Sequence, residues 1–277
     1  TMLAEIEPPK GVNVSGMVGN AKKVKEGIDA FVVPEMSNAV MRMSSLGGAL
    51  VLRNEGLPAA LQVCCRDRNR LAIQGDLLAA QALGISAVMA VSGQDPSFGD
   101  HHQTRSVYDI DLIELIKVIG RLNQGRDMAG IELDGSPDFL IGSTTEAGAK
   151  GKSTEMEVDE IMKRVEAGAR FLITSPVFDI RLLEPFRKRL DLQKVTLIPT
   201  VMLLKSLGMV RYITSNLPHI HIPEEISDRL AGAPDKVREC IQIAAELIKE
   251  IRDQGFGGVY LATLGWEHRL SDIRELV

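Results

Sequence analysis

Residues 59–95 read AALQVCCRDRNRLAIQGDLLAAQALGISAVMAVSGQD, and this stretch decides the fold. Its first and last segments are apolar at consecutive positions, so both faces of a strand there would be apolar, as expected for parallel strands that are covered by helices. The middle has the spacing of an amphipathic helix, and Gly84 follows it where a helix commonly ends. The stretch therefore predicts a strand over Ala59–Cys65, a helix over Arg68–Leu83 and a second strand over Ala87–Ser92.

The same alternation runs through all 277 residues of the chain. The other predicted strands are Met2–Glu7, Ala30–Pro34, Phe139–Thr145, Phe171–Val177, Thr196–Met202 and Gly258–Leu264. The other predicted helices are Ala21–Ile28, Asp111–Leu122, Val158–Gly168, Leu182–Leu190, Lys205–Thr214, Glu224–Leu230 and Ala233–Asp253. Eight strands with helices between them, and no Pro/Gly/Ser-rich linker, predict an α/β fold. We expect a single-domain (β/α)8 TIM barrel over residues 1–277.

Composition excludes several classes of function. The net charge of −5 gives no electrostatic basis for binding nucleic acid or an anionic membrane surface. The apolar runs have the length of strands, far below the roughly 20 residues that span a bilayer. The first residues lack a basic segment followed by an apolar one, so we expect no signal peptide. Three cysteines are too few for a disulfide framework and indicate a reducing, cytoplasmic location.

In a (β/α)8 barrel, functional groups lie where the strands end. This rule selects the segments Glu5–Pro9, Pro34–Asn38, Gln62–Asp67, Ser92–Arg105, Thr145–Lys152, Ser175–Asp179 and Met202–Lys205. Glu5 and Glu7 are two residues apart, so on a strand they point to the same face. A partly desolvated carboxyl group there can act as a general acid, or it can form a structural ion pair. Spacing alone leaves both interpretations open.

Other polar groups are less specific. Asp67 is a candidate cap for the following helix. The arginines around it either form salt bridges or hold an anion: Arg66, Arg68 and Arg70. His219 and His221 have a metal-like spacing but no matching third ligand, so we predict no metal site. Neither G-x-G-x-x-G after a strand nor G-x-x-x-x-G-K-[ST] occurs, which leaves no common nucleotide loop.

The stretch CRDRNRLAIQGDLLAAQALGI (Cys65–Ile85) strongly resembles the 5,10-methylenetetrahydrofolate reductases. The resemblance continues in order through EIEPP at Glu5, VSGQD at 91–95, SFGDHHQ at 97–103, VEAGARFLITSPVFD (Val165–Asp179) and GWE (Gly265–Glu267). It covers nearly the whole chain, and order and spacing are most similar to the short, single-domain bacterial type.

The resemblance implies a barrel that binds a flavin, FAD or alternatively FMN, at the C-terminal ends of its strands. It implies hydride transfer through flavin N5 that converts 5,10-methylenetetrahydrofolate to 5-methyltetrahydrofolate or the reverse. The electron donor is then a reduced nicotinamide or an iron–sulfur partner protein, and we expect a homo-oligomer or a complex subunit.

The resemblance also assigns site residues. Glu5 matches the catalytic acid, and Gln94 lies beside flavin and substrate. The implied flavin contacts are Gln62, Gly93, Gln94, Tyr108, Asp109, Thr145, Glu157, Glu160, Lys163 and Arg164. The implied substrate contacts are Glu5, Gln94, Asp95 and Ser175. Lys163 and Arg164 can hold a pyrophosphate, although a solvated helix face also explains such a pair.

Several positions differ from the family pattern. Pro34 replaces a threonine, Gln62 a histidine, Gln94 an aspartate and Ser175 a glutamine, while Glu157 and Glu160 add negative charge near the expected diphosphate. If the loop shifts by one residue, Asp95 supplies the carboxylate in place of Gln94. These differences favour, as the alternative, a reductase-like protein without independent reductase activity, which binds a pterin or methyl-folate or acts as a subunit of a larger methyl-transfer or redox complex.

Overall fold

The computed structural model describes residues 1–151 and 153–277; Lys152, which ends one predicted rim segment, lies outside them. Eight parallel strands form a closed barrel in which each strand pairs with the next and β8 pairs with β1. The strands are β1 Met2–Glu5, β2 Ala30–Val33, β3 Ala59–Cys64, β4 Ala87–Val91, β5 Leu140–Thr145, β6 Phe171–Pro176, β7 Thr196–Met202 and β8 Val259–Ala262. The predicted TIM barrel is confirmed.

Helices form the outer layer of the barrel. They are α1 Ser15–Val24, α2 Ser45–Asn54, α3 Arg70–Ala82, α4 Leu112–Asn123, α5 Thr154–Ala167, α6 Glu184–Arg189, α7 Leu207–Asn216, α8 Glu224–Gly232, α9 Lys236–Asp253 and α10 Leu270–Leu276. Gly84 lies two residues past the end of α3, and Gly168 directly follows α5; their φ angles of +88° and +130° belong to a backbone conformation that glycine adopts without a steric cost. No helix among the described residues is long and apolar enough to cross a membrane.

Three helices differ most from the sequence prediction: α1 starts earlier than predicted, and α2 and α10 were not predicted. α1 starts at Ser15, earlier than the predicted Ala21, because Met17 already packs in the core. α2 was not among the predicted helices, since its glycine pair weakens the helical signal. The structure gives that pair a packing role: a Cβ on Gly48 would lie 2.9 Å from the Val33 side chain and 3.1 Å from that of Pro8. The glycine therefore lets α2 approach the barrel closely.

The interior of the barrel is filled by side chains rather than open. The Phe171 ring of β6 occupies the space beside Gly142 of β5, where a Cβ would lie 2.0 Å from the ring. Residues of β2 such as Phe31 are fully buried, and burial of one such side chain stabilises the fold by about 1.5–3 kcal/mol. Buried polar side chains, by contrast, collect where the strands end: Glu5, Thr145 and Thr174.

Candidate active site

A cavity of about 650 Å³ lies at the C-terminal mouth of the barrel. Its volume is within the roughly 300–1,000 Å³ of small-molecule and cofactor sites. The lining comes from the ends of most strands and includes Glu5, Glu35, Asn38, Gln62, Arg66, Gly93, Gln94, Thr145, Glu146, Arg164, Ser175, His219 and Leu264. The mixture of acids, amides and arginines suits a polar, hydrogen-bonding ligand.

Glu5 ends β1 and is 8% exposed. Its Oε1 accepts a hydrogen bond from the Leu264 amide at 2.9 Å, and its Oε2 accepts one from the Tyr260 hydroxyl at 3.2 Å. Burial raises the pKa of Glu5 from 4.5 to about 7, and the two hydrogen bonds offset only part of this effect. The side chain is therefore a carboxylic acid that can hold or release a proton near neutral pH.

Glu7 has a structural role. It lies beyond the end of β1, and its Oε2 is 2.8 Å from an Arg42 Nη. Its amide donates to Glu267 at 3.3 Å. Burial raises the pKa of Glu7, and the charge of Arg42 opposes that rise. Of the two carboxyl groups that spacing left open, Glu5 alone lines the cavity, and Glu7 forms the ion pair.

Gln62 presents a hydrogen-bond donor to the cavity. Its Oε1 accepts from the Glu35 amide at 2.8 Å, which fixes the orientation of the side-chain amide. Ser45 fixes the backbone beside it, because its hydroxyl accepts from the Gln62 amide at 3.0 Å and donates to the Val33 carbonyl at 2.9 Å. Within the described residues no hydrogen bond engages Gln62 Nε2, so this group can donate to a ligand acceptor.

Arg66 joins three of the loops at the mouth. It is 2% exposed, and it binds both carboxylate oxygens of Asp67 at 2.6 and 2.7 Å. Its Nη1 donates to the Gln94 carbonyl at 3.1 Å. The prediction that Asp67 caps α3 is wrong: Asn69 is the cap and accepts from the Ala72 amide at 3.0 Å, because Asp67 is engaged by Arg66.

The turn after β4 is held by backbone geometry. Gly93 has φ of +89°, and a Cβ there would lie 2.3 Å from Cys64 Sγ. Gln94 is exposed in the cavity and its Nε2 is 3.3 Å from Asn38 Oδ1. The carboxylate of Asp95 accepts a hydrogen bond from the Ser97 amide at 2.8 Å and so caps a short 3-10 turn. This hydrogen bond lowers the pKa of Asp95. Tyr108 donates to the Gly93 carbonyl at 3.2 Å.

Opposite Glu5, the cavity is bordered by β5 and α5. Thr145 donates to the buried Glu157 at 2.6 Å, and Glu157 also accepts from the Glu146 amide at 2.8 Å. Lys163 lies 2.6 Å from Glu160, and Arg164 donates to the Glu160 carbonyl at 2.7 Å. Arg164 Nε is buried and lacks a hydrogen-bond partner within the described residues.

The histidines provide no metal centre among the described residues, in which no group of three or more His, Cys, Asp or Glu side chains is arranged to hold an ion. His219 is exposed at the edge of the cavity, and its carbonyl accepts from the Lys150 amide at 2.7 Å. His101 lies in the β4 loop with its Nδ1 2.8 Å from Asp100.

A family model described as methylenetetrahydrofolate reductase matches residues 1–276. The chain belongs to the methylenetetrahydrofolate reductase family. Methylenetetrahydrofolate reductase 2 of Schizosaccharomyces pombe is 24% identical over 284 residues, a match that covers 96% of this chain. The chain spans 44% of the length of that relative.

Solved structures agree on the fold. A protein from Clostridium thermocellum that binds two copies of 5-methyl-5,6,7,8-tetrahydrofolic acid has a TM-score of 0.61 at 15% identity, over 100% of this chain and 96% of that one. A 2,3-dimethylmalate lyase has a TM-score of 0.56 at 11% identity, over 99% of this chain and 78% of that one. These likenesses concern the barrel alone.

The cavity brings together seven of the residues that the reductase resemblance selected: Glu5, Gln62, Gly93, Gln94, Thr145, Arg164 and Ser175. Six others lie outside its lining: Asp95, Tyr108, Asp109, Glu157, Glu160 and Lys163. Tyr108 and Glu157 contact lining residues directly, whereas Asp109 binds Arg70 at the start of α3 at 2.9 Å.

Sequence reasoning did not single out Glu35, a buried acid in this reductase-family cavity. Its Oε2 accepts from the Ser45 amide at 2.9 Å, and its Oε1 is 3.3 Å from Arg68. Burial raises the pKa of Glu35, and Arg68 opposes that rise. The available signal was its position in the rim segment Pro34–Asn38, directly after the end of β2.

Proposed function

We propose that this chain binds a reduced one-carbon folate at the mouth of the barrel and interconverts 5,10-methylene- and 5-methyltetrahydrofolate. The observation that carries the proposal is the buried Glu5 carboxyl in the cavity, with its pKa raised to about 7. A proton donor of this kind is what the opening of the methylene-folate ring requires.

Glu5 has one task in this reaction. Its protonated carboxyl donates to the folate nitrogen that is released when the carbon–nitrogen bond of the five-membered ring breaks. The methylene carbon gains a hydride, which a reduced flavin would supply, so one proton and one hydride together convert the methylene group to a methyl group. Tyr260 and the Leu264 amide then hydrogen-bond to the carboxylate that Glu5 becomes.

Folate as the ligand is supported by the family and by the lining. The Clostridium thermocellum protein with the same fold binds 5-methyltetrahydrofolate. A pterin ring carries both donors and acceptors along its edge. The lining offers matching groups in the Gln94 amide and the Ser175 hydroxyl.

The residues present fit the ring system of a flavin. The donor on Gln62 and the backbone of Gly93, which lines the cavity, would hold an isoalloxazine ring. Arg164, with its unpartnered Nε, is the lining cation best suited to a flavin phosphate. When bound, a flavin supplies a carrier for the hydride.

The alternative function is folate binding without redox chemistry. The interactions of Glu160 favour it, because this acid holds Lys163 by an ion pair and Arg164 through its carbonyl. Cations that are engaged in this way bind a diphosphate less strongly. A protein of this second kind binds 5-methyltetrahydrofolate and no flavin.

The visible absorption spectrum tests the two functions. The purified protein, or the protein incubated with FAD or FMN, should be yellow, and 5-methyltetrahydrofolate should bleach it in the absence of oxygen. Calorimetric titration with 5-methyltetrahydrofolate provides the second measurement. Folate binding by a protein that takes up neither flavin would leave the alternative standing, and failure to bind folate would refute both.

A further inference from the structure

Lys205 lies just past the end of β7 and contacts Leu264, the residue whose amide donates a hydrogen bond to Glu5. Its Nζ donates a hydrogen bond to the carbonyl of Leu264 and lies 5.6 Å from the centre of the Trp266 ring. The side chain is half-buried, and desolvation lowers the pKa of its ammonium group. A partly desolvated ammonium group needs a hydrogen-bond acceptor in place of water, and the Leu264 carbonyl supplies one.

Leu264 connects Lys205 to Glu5. It has φ of +51°, a left-handed conformation that residues other than glycine seldom adopt. In this conformation its amide donates to Glu5 Oε1 at 2.9 Å while its carbonyl accepts from Lys205. One strained residue is thus held by the acid on one side and by the ammonium group on the other.

The charges around Glu5 come from several elements. Glu7 beyond β1 and Glu267 after β8 are acids that disfavour a charged Glu5. Tyr260 of β8 donates a hydrogen bond to it at 3.2 Å. Lys205 interacts with all three glutamates, whose charges raise the pKa of its ammonium group. The ammonium group therefore opposes the two acidic neighbours.

We propose that Lys205 is a positioning residue for Glu5: it holds the Leu264 carbonyl and thereby keeps the Leu264 amide directed at the Glu5 carboxylate. The proposal rests on the proposed function only in taking Glu5 as the proton donor. Both the amide and the ammonium group stabilise the charged carboxylate. Without Lys205, Glu5 should therefore keep its proton to a higher pH.

The infrared band of the protonated Glu5 carboxyl, followed against pH in the ligand-free protein, tests this inference. Glu5→Gln identifies the band by removing it. In Lys205→Met the midpoint should rise by roughly one pH unit, the scale of one lost hydrogen bond or charge. Lys205→Gln should also raise it and serves if the methionine variant fails to fold. Lys205→Arg keeps the positive charge and the hydrogen-bond donor, so its midpoint should equal that of the wild type.

A matched control removes a lysine elsewhere. Lys188 of α6 pairs with Glu184 at 3.4 Å outside the cavity lining, so Lys188→Met should leave the midpoint unchanged. An unchanged midpoint in both Lys205→Met and Lys205→Gln would overturn the inference, as would an arginine variant that shifts like methionine. Because no ligand is used, these outcomes are independent of whether the wild-type protein binds folate or flavin.

Discussion

Two walls of the same cavity surround their carboxyl groups with different charges. The β1–β8 wall (Glu5, Lys205, Tyr260 and Leu264) buries a carboxyl group and raises its pKa to about 7. The β5–α5 wall (Thr145, Glu157, Glu160, Lys163 and Arg164) gives its acids a hydroxyl, a backbone amide and cations as partners. Each wall gives a buried acid a hydroxyl and a backbone amide as donors, but among the described residues only the second wall adds ion pairs between an acid and cations. Under the proposed function, proton transfer belongs to the first wall and ligand anchoring to the second.

Removing the acid of the β1–β8 wall should have the largest effect. We expect Glu5→Gln to lower the rate of folate reduction by roughly 10²–10⁴-fold, the usual contribution of a general acid. The amide keeps the size of the side chain, so 5-methyltetrahydrofolate should still bind. Single-turnover rates and calorimetry measure the two quantities.

Glu7→Gln is the matched control, because Glu7 sits two residues away and pairs with Arg42 outside the cavity lining. Its rate should stay close to that of the wild type. A Glu5→Gln variant that retained more than about a tenth of the rate would contradict general-acid catalysis by this wall.

The same carboxyl group should make stability depend on pH. Below the unfolded-state pKa of about 4.5, Glu5 is protonated in both states and contributes nothing to this dependence. Between about 4.5 and 7 the unfolded chain ionises while folded Glu5 stays protonated, so stability falls as pH rises. Above pH 7 the loss amounts to about 3 kcal/mol.

Urea unfolding of wild type and Glu5→Gln between pH 4 and 8 measures this effect. The difference between the two unfolding free energies should change by about 3 kcal/mol over that range, to the disadvantage of the wild type at high pH. Parallel curves would mean that Glu5 is not desolvated in the folded protein, and the contrast between the walls would disappear.

Within the β1–β8 wall, the sequence could predict some features and not others. Glu5 was predictable, because it ends an apolar strand and matches a family motif. The eight strands were predictable for the same kind of reason, since each is a short apolar run. The predicted strands Met2–Glu7 and Gly258–Leu264 nevertheless extend past the observed ends of β1 and β8. Chain periodicity does not reveal where a strand leaves the barrel.

Side-chain pairing across the barrel could not be predicted. The contact of Lys205 with Leu264 joins β7 to β8, 59 residues apart in sequence, and depends on the left-handed conformation of Leu264. The choice of Asn69 over Asp67 as the cap of α3 depends on Arg66, whose side chain turns to Asp67 and the Gln94 carbonyl. Such choices are made by tertiary contacts rather than by local propensity.

The β5–α5 wall can be tested through Glu160. Removing its charge in Glu160→Gln should release Lys163 and remove the 3.7 Å ion pair with Arg164, although the hydrogen bond from Arg164 to the Glu160 carbonyl remains, so FAD should bind about tenfold more tightly. Riboflavin, which has no phosphate, should bind with unchanged affinity. Fluorescence quenching of each flavin measures the two dissociation constants.

Glu184 of α6 offers a control of the same design. It pairs with Arg187 and Lys188 at the i+3 and i+4 positions, as Glu160 does with Lys163 and Arg164. Glu184→Gln changes the net charge equally but should leave FAD affinity unchanged. An equal gain in FAD affinity in both variants would mean that net charge causes the effect, and would contradict a role of the β5–α5 wall in binding the phosphate.

The smallest predicted effect concerns Gln94, between the two walls. A carboxylate there disfavours the reduced, anionic flavin, so Gln94→Asp should lower the flavin potential. We expect roughly 15 mV, half of what a tenfold change is worth for a two-electron couple, because Gln94 is exposed and its charge would be screened. Spectroelectrochemical titration of the flavin-loaded protein measures the shift.

Asp95 is the control for this prediction, because its carboxylate caps the turn at Ser97 and lies outside the cavity lining. Asp95→Asn should keep the potential and lose at most about 1 kcal/mol of stability, since asparagine also caps helical turns. A potential that moves in Asp95→Asn but not in Gln94→Asp would make Asp95 the carboxylate beside the flavin. The amide of Gln94 would then have no electrostatic effect on the flavin, and Asp95 rather than residue 94 would be the charged group to compare with Glu5.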